Sequence, residues 1–213
     1  MKKRSFFLLF FIVIISSVFF YGCGGGGPGS PGSDGSDKTG VILAAQITPT
    51  YNGENTYSVD AFQQVCDPGP PAVYEFFTDH GAQFTFTARL VNPDTTFPPG
   101  NLYIEKYTIK YFRSTDSIGA PPIETDVRYV TMKIRPLPSG TGVSVDIYSG
   151  VFVDLVRKDK YSSDMLSGRY SSSLAYINNY TAVYKFEGKN DFGEKFTIEA
   201  QTDFQIGNFV NCS

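Results

Sequence analysis

Along most of the chain the hydrophobic positions repeat every second residue. Phe84, Phe86, Ala88 and Leu90 alternate with Gln83, Thr85, Thr87 and Arg89, which predicts a strand with one wet face. Phe196, Ile198 and Ala200 alternate with Lys195, Thr197, Glu199 and Gln201, and Phe204 and Ile206 continue in phase. A helix would scatter such residues around its surface. Further strands are predicted at 41–47, 73–77, 102–112, 127–134, 143–148, 151–156 and 182–186. Ser149-Gly150 separates two of these runs so closely that a hairpin is expected there. Pro68-Gly69-Pro70-Pro71, Asn92-Pro93-Asp94, Pro98-Pro99-Gly100 and Asn190-Asp191 supply turn chemistry between the others. Residues 158–179 break the alternation, with many serines and only scattered apolar side chains. They read as a long polar loop, with one helical turn around 164–167.

Composition agrees with strands. The chain has 19 Phe and 14 Tyr but no Trp, and aromatic and β-branched side chains suit a half-buried pleated surface. About eight strands, regular turns and no convincing amphipathic helix make the domain all-β and favour a sandwich over a barrel. Residues 41–210 are similar in architecture to immunoglobulin-like and fibronectin-like modules of exported bacterial proteins. That likeness carries no family motif, and without Trp there is no Cys…Trp…Cys signature. It implies an immunoglobulin-like β-sandwich of about eight antiparallel strands with one long polar loop.

The amino-terminal end follows a different pattern. Lys2, Lys3 and Arg4 precede an apolar run, 6–21, broken only by Ser16 and Ser17 and closed by Gly22-Cys23. A basic stretch, a short apolar segment and a small residue make an export signal. The run is slightly shorter than the ~20 residues a spanning helix needs, so an uncleaved signal-anchor is the alternative. Gly22-Cys23 resembles the processing site of bacterial lipoproteins, with Phe20 where that family usually has Leu. The resemblance implies removal of 1–22 and a diacylglyceryl group on Cys23, usually with an added acyl chain. Two or more chains hold a protein stably in a membrane where one does not. Gly24, rather than Asp, after the cysteine implies the outer membrane of a bacterial envelope. Residues 24–40 are nearly all Gly, Pro, Ser and Asp, the composition of a disordered tether averaging roughly 20–25 Å end to end. The organisation is then a signal peptide at 1–22, a lipidated cysteine and linker at 23–40, and a β-sandwich domain at 41–213.

Removing Lys2, Lys3 and Arg4 takes the formal charge from −3 to −6. No basic stripe remains for nucleic acid, which is set aside as a partner. With Cys23 acylated, Cys66 and Cys212 are left in a compartment that favours disulfides. A bridge between them would close about 147 residues and restrict the unfolded chain by about 4–5 kcal/mol. Two free thiols, or an intermolecular link through Cys212, are the alternatives. Two thiols and the single His80 are too few ligands for zinc.

Candidate chemistry is sparse. His80, in Thr78-Asp79-His80-Gly81, is the residue type of a general base, but no serine lies in a Gly-x-Ser-x-Gly elbow. It reads as a turn residue in a polar corner. Asp116, Glu124 and Asp126 suggest calcium, yet supply fewer than the six to eight oxygens that ion takes. They read as a solvated loop. Phosphate-loop, haem and zinc-protease motifs are missing from the sequence, so it predicts no cofactor, metal site or catalytic residue. Tyr161, Tyr170, Tyr176 and Tyr180 are the candidate interaction surface, because tyrosine offers rigid contact area at low entropic cost. The expectation is a non-enzymatic envelope lipoprotein, held by membrane lipid through Cys23, that positions or binds another envelope protein. A carbohydrate- or ligand-binding lipoprotein is the alternative, and an enzyme ranks third.

Overall fold

The two-residue alternation becomes strand wherever one face can be buried. A computed structural model describes residues 39–95, 100–137, 142–171 and 177–209. The expected signal peptide, Cys23, nearly all of the tether, Tyr176 and Cys212 lie outside the described residues. In chain order the elements are β1 (Val41–Tyr51), β2 (Glu54–Asn55), β3 (Ser58–Asp60), β4 (Val65–Asp67) and β5 (Val73–Tyr74). Then come β6 (His80–Leu90), β7 (Leu102–Arg113), β8 (Asp126–Ile134), β9 (Ser144–Val153), helix α1 (Leu155–Leu166), β10 (Asn178–Asn190) and β11 (Lys195–Gly207). One sheet runs β2-β1-β6-β9, a second β3-β11-β10-β7-β8, and β4 pairs with β5 in a small hairpin. All pairs are antiparallel except β3 with β11. The fold is therefore all-β in its sheets, but mixed in strand direction.

The two large sheets share one aromatic core. Phe84 of β6 meets Tyr107 of β7 and Tyr184 and Phe186 of β10 edge-on, with ring centroids 5.2, 5.4 and 5.2 Å away. Phe152 of β9 meets Phe204 of β11 at 4.9 Å. Edge-to-face contact suits the charge distribution of aromatic rings.

Three expectations need correction. The Ser149-Gly150 hairpin does not form, and β9 runs straight through Gly150. A Cβ there would lie 2.2 Å from a ring carbon of Phe84, so the glycine marks a close approach and not a turn. The polar loop at 158–179 is replaced over its first part by the twelve-residue helix α1. The Asp154 side chain caps that helix by accepting from the Arg157 N–H at 3.0 Å. Finally, eight antiparallel strands become eleven strands among the described residues, one pair of them parallel.

Strands β8 and β9 end the two sheets on the same side, without a shared backbone ladder. Side chains close that seam. Tyr107 accepts from the Val151 N–H at 3.1 Å, Tyr184 donates to the Val151 carbonyl at 2.9 Å, and Tyr111 donates to the Phe152 carbonyl. Tyr148 reaches the Lys133 carbonyl, and Asp146 accepts from the Arg135 N–H at 3.0 Å.

The two ends of the body differ. At one end the Val91 N–H bonds the Gly40 carbonyl, which places the start of the domain beside the β6–β7 connection. At the other lie β2 to β5, α1 and the segment after β7. Gly150→Ala should cost about 1–3 kcal/mol through overpacking against Phe84, read as a lower urea midpoint. An unchanged midpoint would contradict the close approach.

Candidate functional site

The far end gathers charged side chains that are distant in sequence. Tyr51 ends β1, Asp60 ends β3, Glu75 follows β5, His80 opens β6 and Lys158 lies on α1. Asp60, Glu75, His80 and Lys158 are all buried. His80 stacks on Tyr51 with centroids 4.2 Å apart, and its Nε2 lies 3.2 Å from the Ser58 carbonyl. A carbonyl only accepts, so Nε2 carries the proton. Nδ1 is then a buried acceptor with no hydrogen-bond partner among the described residues. Burial, aided by the Lys158 charge and opposed by the Ser58 bond, pushes the His80 pKa down to about 3.

Lys158 donates to the Thr78 carbonyl at 2.6 Å, and its Nζ lies 4.4 Å from the centre of the Phe77 ring. Burial lowers its pKa to about 8 against the pull of Asp60, Asp79 and Glu75. Asp60 accepts from the Phe62 and Phe209 N–H groups, each at 3.2 Å, while Glu75 accepts from the Gln64 N–H at 2.6 Å. Burial holds the Asp60 carboxyl above the usual carboxylate range, and neighbouring Glu75 adds to this. These groups sit inside the protein, where they fasten β1, β3, the approach to β6, α1 and the carboxy-terminal segment together.

A second network lies beside them. Asp126 pairs with Arg128 at 2.7 Å and Arg157 at 3.1 Å, and Asp154 pairs with the same arginines at 2.6 and 2.7 Å. Arg157 also donates to the Glu124 and Thr125 carbonyls. This corrects the solvated-loop reading of Asp126, whose carboxylate is buried between two guanidinium groups. Asp116 is placed elsewhere, accepting from Asn179 Nδ2 at 2.8 Å. Among the described residues no three His, Cys, Asp or Glu side chains converge as metal ligands.

The expected tyrosine surface does not assemble. Tyr161 and Tyr180 are buried and meet edge-on at 6.3 Å, with Asn178 donating to the Tyr161 hydroxyl and Tyr180 donating to the Pro121 carbonyl. Tyr170 is half-buried. His80 is likewise not a solvated turn residue, because it is buried and stacked on Tyr51. Open surface appears instead on the outer face of β10 and β11. A hollow of about 500 Å³ there is lined by Tyr57, Asp116, Asn179, Asp203 and Gln205 among others. A smaller one of about 300 Å³ adjoins it across Asp116 and Asn179. Sequence reading missed Asp60, Glu75, Lys158 and Tyr57. Only Lys158 left a signal, through its helical spacing with Tyr161 and Met165.

Cys66 takes part in a disulfide, and neither of the other cysteines lies among the described residues. No helix among the described residues is long and apolar enough to cross a membrane. No protein-family model matches the chain, and no curated protein or solved structure matches it either.

The depressed His80 pKa makes stability depend on pH. As pH falls below about 6.5 the unfolded chain gains a proton on this histidine while the folded chain does not. Stability from this group is complete above pH 6.5 and is lost as pH falls towards 3. Raised Asp60 works in the opposite sense and restores part of it. His80→Gln should therefore flatten the acid limb of the urea-midpoint profile, by up to about 1.4 kcal/mol per pH unit below 6. Parallel profiles for the two proteins would contradict the buried neutral imidazole.

Proposed function

We propose that the chain is a lipid-anchored envelope protein whose β domain presents a non-catalytic binding surface away from the bilayer. The observation that carries this reading is the position of Gly40, bonded to Val91 at the end of the body opposite the hollows. A tether from Cys23 entering there leaves the far end facing outward. The strongly shifted His80, Lys158 and Asp60 are enclosed and engaged with backbone, which supports a fastening role over a catalytic one. In this reading the two sheets act as an immunoglobulin-like sandwich in the architectural sense, displaying loops at either end. The module positions or binds another component of the outer-membrane envelope. Carbohydrate recognition is favoured as the specific form of binding by the polar hollow beside exposed Tyr57.

Cys212 is proposed as the disulfide partner of Cys66. Gln64 bonds the Asn208 side chain, and the Phe209 N–H bonds Asp60, so the carboxy-terminal segment runs close to this cysteine. That pairing leaves Cys23 free for acylation.

One mass map of the mature protein under non-reducing conditions tests both statements. The expected result is a chain beginning at acylated Cys23, together with a crosslinked peptide containing Cys66 and Cys212. An unprocessed amino terminus, or a Cys23–Cys66 crosslink, would overturn the anchor.

A further inference from the structure

We infer that the hollow on the outer face of β10 and β11 binds a neutral oligosaccharide, an assignment that rests on the binding-module reading and names its ligand class. The register of these strands sets Asn179 opposite Gln205 and Thr181 opposite Asp203. Tyr180 and Phe204 between them face the core, so the four polar side chains share the outer face. The segment after β7 brings Asp116 alongside, and the residue before β3 brings Tyr57.

Mutual hydrogen bonds fix these groups. Asn179 donates to Asp116 at 2.8 Å and accepts from Gln205 at 3.2 Å, while Thr181 donates to Asp203 at 2.5 Å. Each carboxylate keeps unused lone pairs, and the Gln205 amide keeps a carbonyl and a second N–H. Hydroxyl groups, which donate and accept at once, match that set. Tyr57 is 51% exposed and supplies a flat apolar face with a polar tip, suited to the C–H face of a sugar ring.

Charge narrows the ligand further. Among the described residues no Lys or Arg lines either hollow, and two carboxylates border the larger one. An anionic ligand would meet repulsion from both, while the nearby Arg113 guanidinium is engaged with the Ile118 and Ala120 carbonyls. The larger hollow falls in the size range of small-ligand sites, and its neighbour across Asp116–Asn179 extends it, so a chain fits better than one ring.

The test is calorimetric titration of the purified mature protein with maltohexaose, cellohexaose and chitohexaose, beside polygalacturonate and hexalysine. Saturable binding of at least one neutral hexasaccharide is expected, with none for polygalacturonate. Tyr57→Ala and Gln205→Ala should each weaken it about tenfold or more at an unchanged thermal midpoint. Tyr129→Ala, at an exposed residue on β8, should leave it unaltered. Binding of hexalysine alone, no binding of any neutral saccharide, or full affinity in both groove variants would overturn the assignment. The mass map reports the anchor separately, so an acylated protein that ignores these saccharides removes this inference alone.

Discussion

Two strand edges that cannot pair with each other set the terms for the rest of this protein. An unpaired edge exposes N–H and C=O groups that need partners, particularly near a core. Here β8 and β9 face one another across an opening, and tyrosine hydroxyls from the opposite sheet replace the missing ladder at Val151 and Phe152. Each ring fills core volume while its tip makes the hydrogen bond, which accounts for tyrosine in place of phenylalanine at 107, 111 and 184. Burial raises the pKa of all three phenols, so they remain neutral hydrogen-bonding groups. The arrangement also needs the Phe84 ring to come close against strand β9, and the bare Cα of Gly150 allows it.

From this seam the chemistry of the far end follows. Once β9 is held, the chain passes directly into Asp154, which caps α1 and pairs with Arg128 on β8. Helix α1 then carries Lys158 over Phe77 and over Tyr51, the ring on which His80 stacks. The buried charges therefore belong to the fastening of this end of the domain. The outer face of β10 and β11 is open, and its polar groups are ordered by each other and turned to solvent.

Strands β6 and β11 were legible because each has one wet face, which writes the alternation into the sequence. Strand β9 was legible only as two pieces, because a glycine beside a serine suggests a turn, and only Phe84, far away in the chain, shows that glycine's real role. Helix α1 was hidden because its buried positions are Lys158, Tyr161, Asp164 and Met165, half of them charged. The same non-locality misplaced His80, Tyr161 and Tyr180, whose covering groups come from other elements. The groove had no local signature at all. Its residues come from four separate segments and acquire meaning only through strand register.

The most direct measurement is amide hydrogen exchange at Val151 in the folded protein and in Tyr107→Phe. The account predicts a protected amide in the parent and at least tenfold faster exchange in the variant, with distant β10–β11 amides unchanged. Equal protection of Val151 in both proteins would contradict the claim that phenol groups stand in for a missing strand.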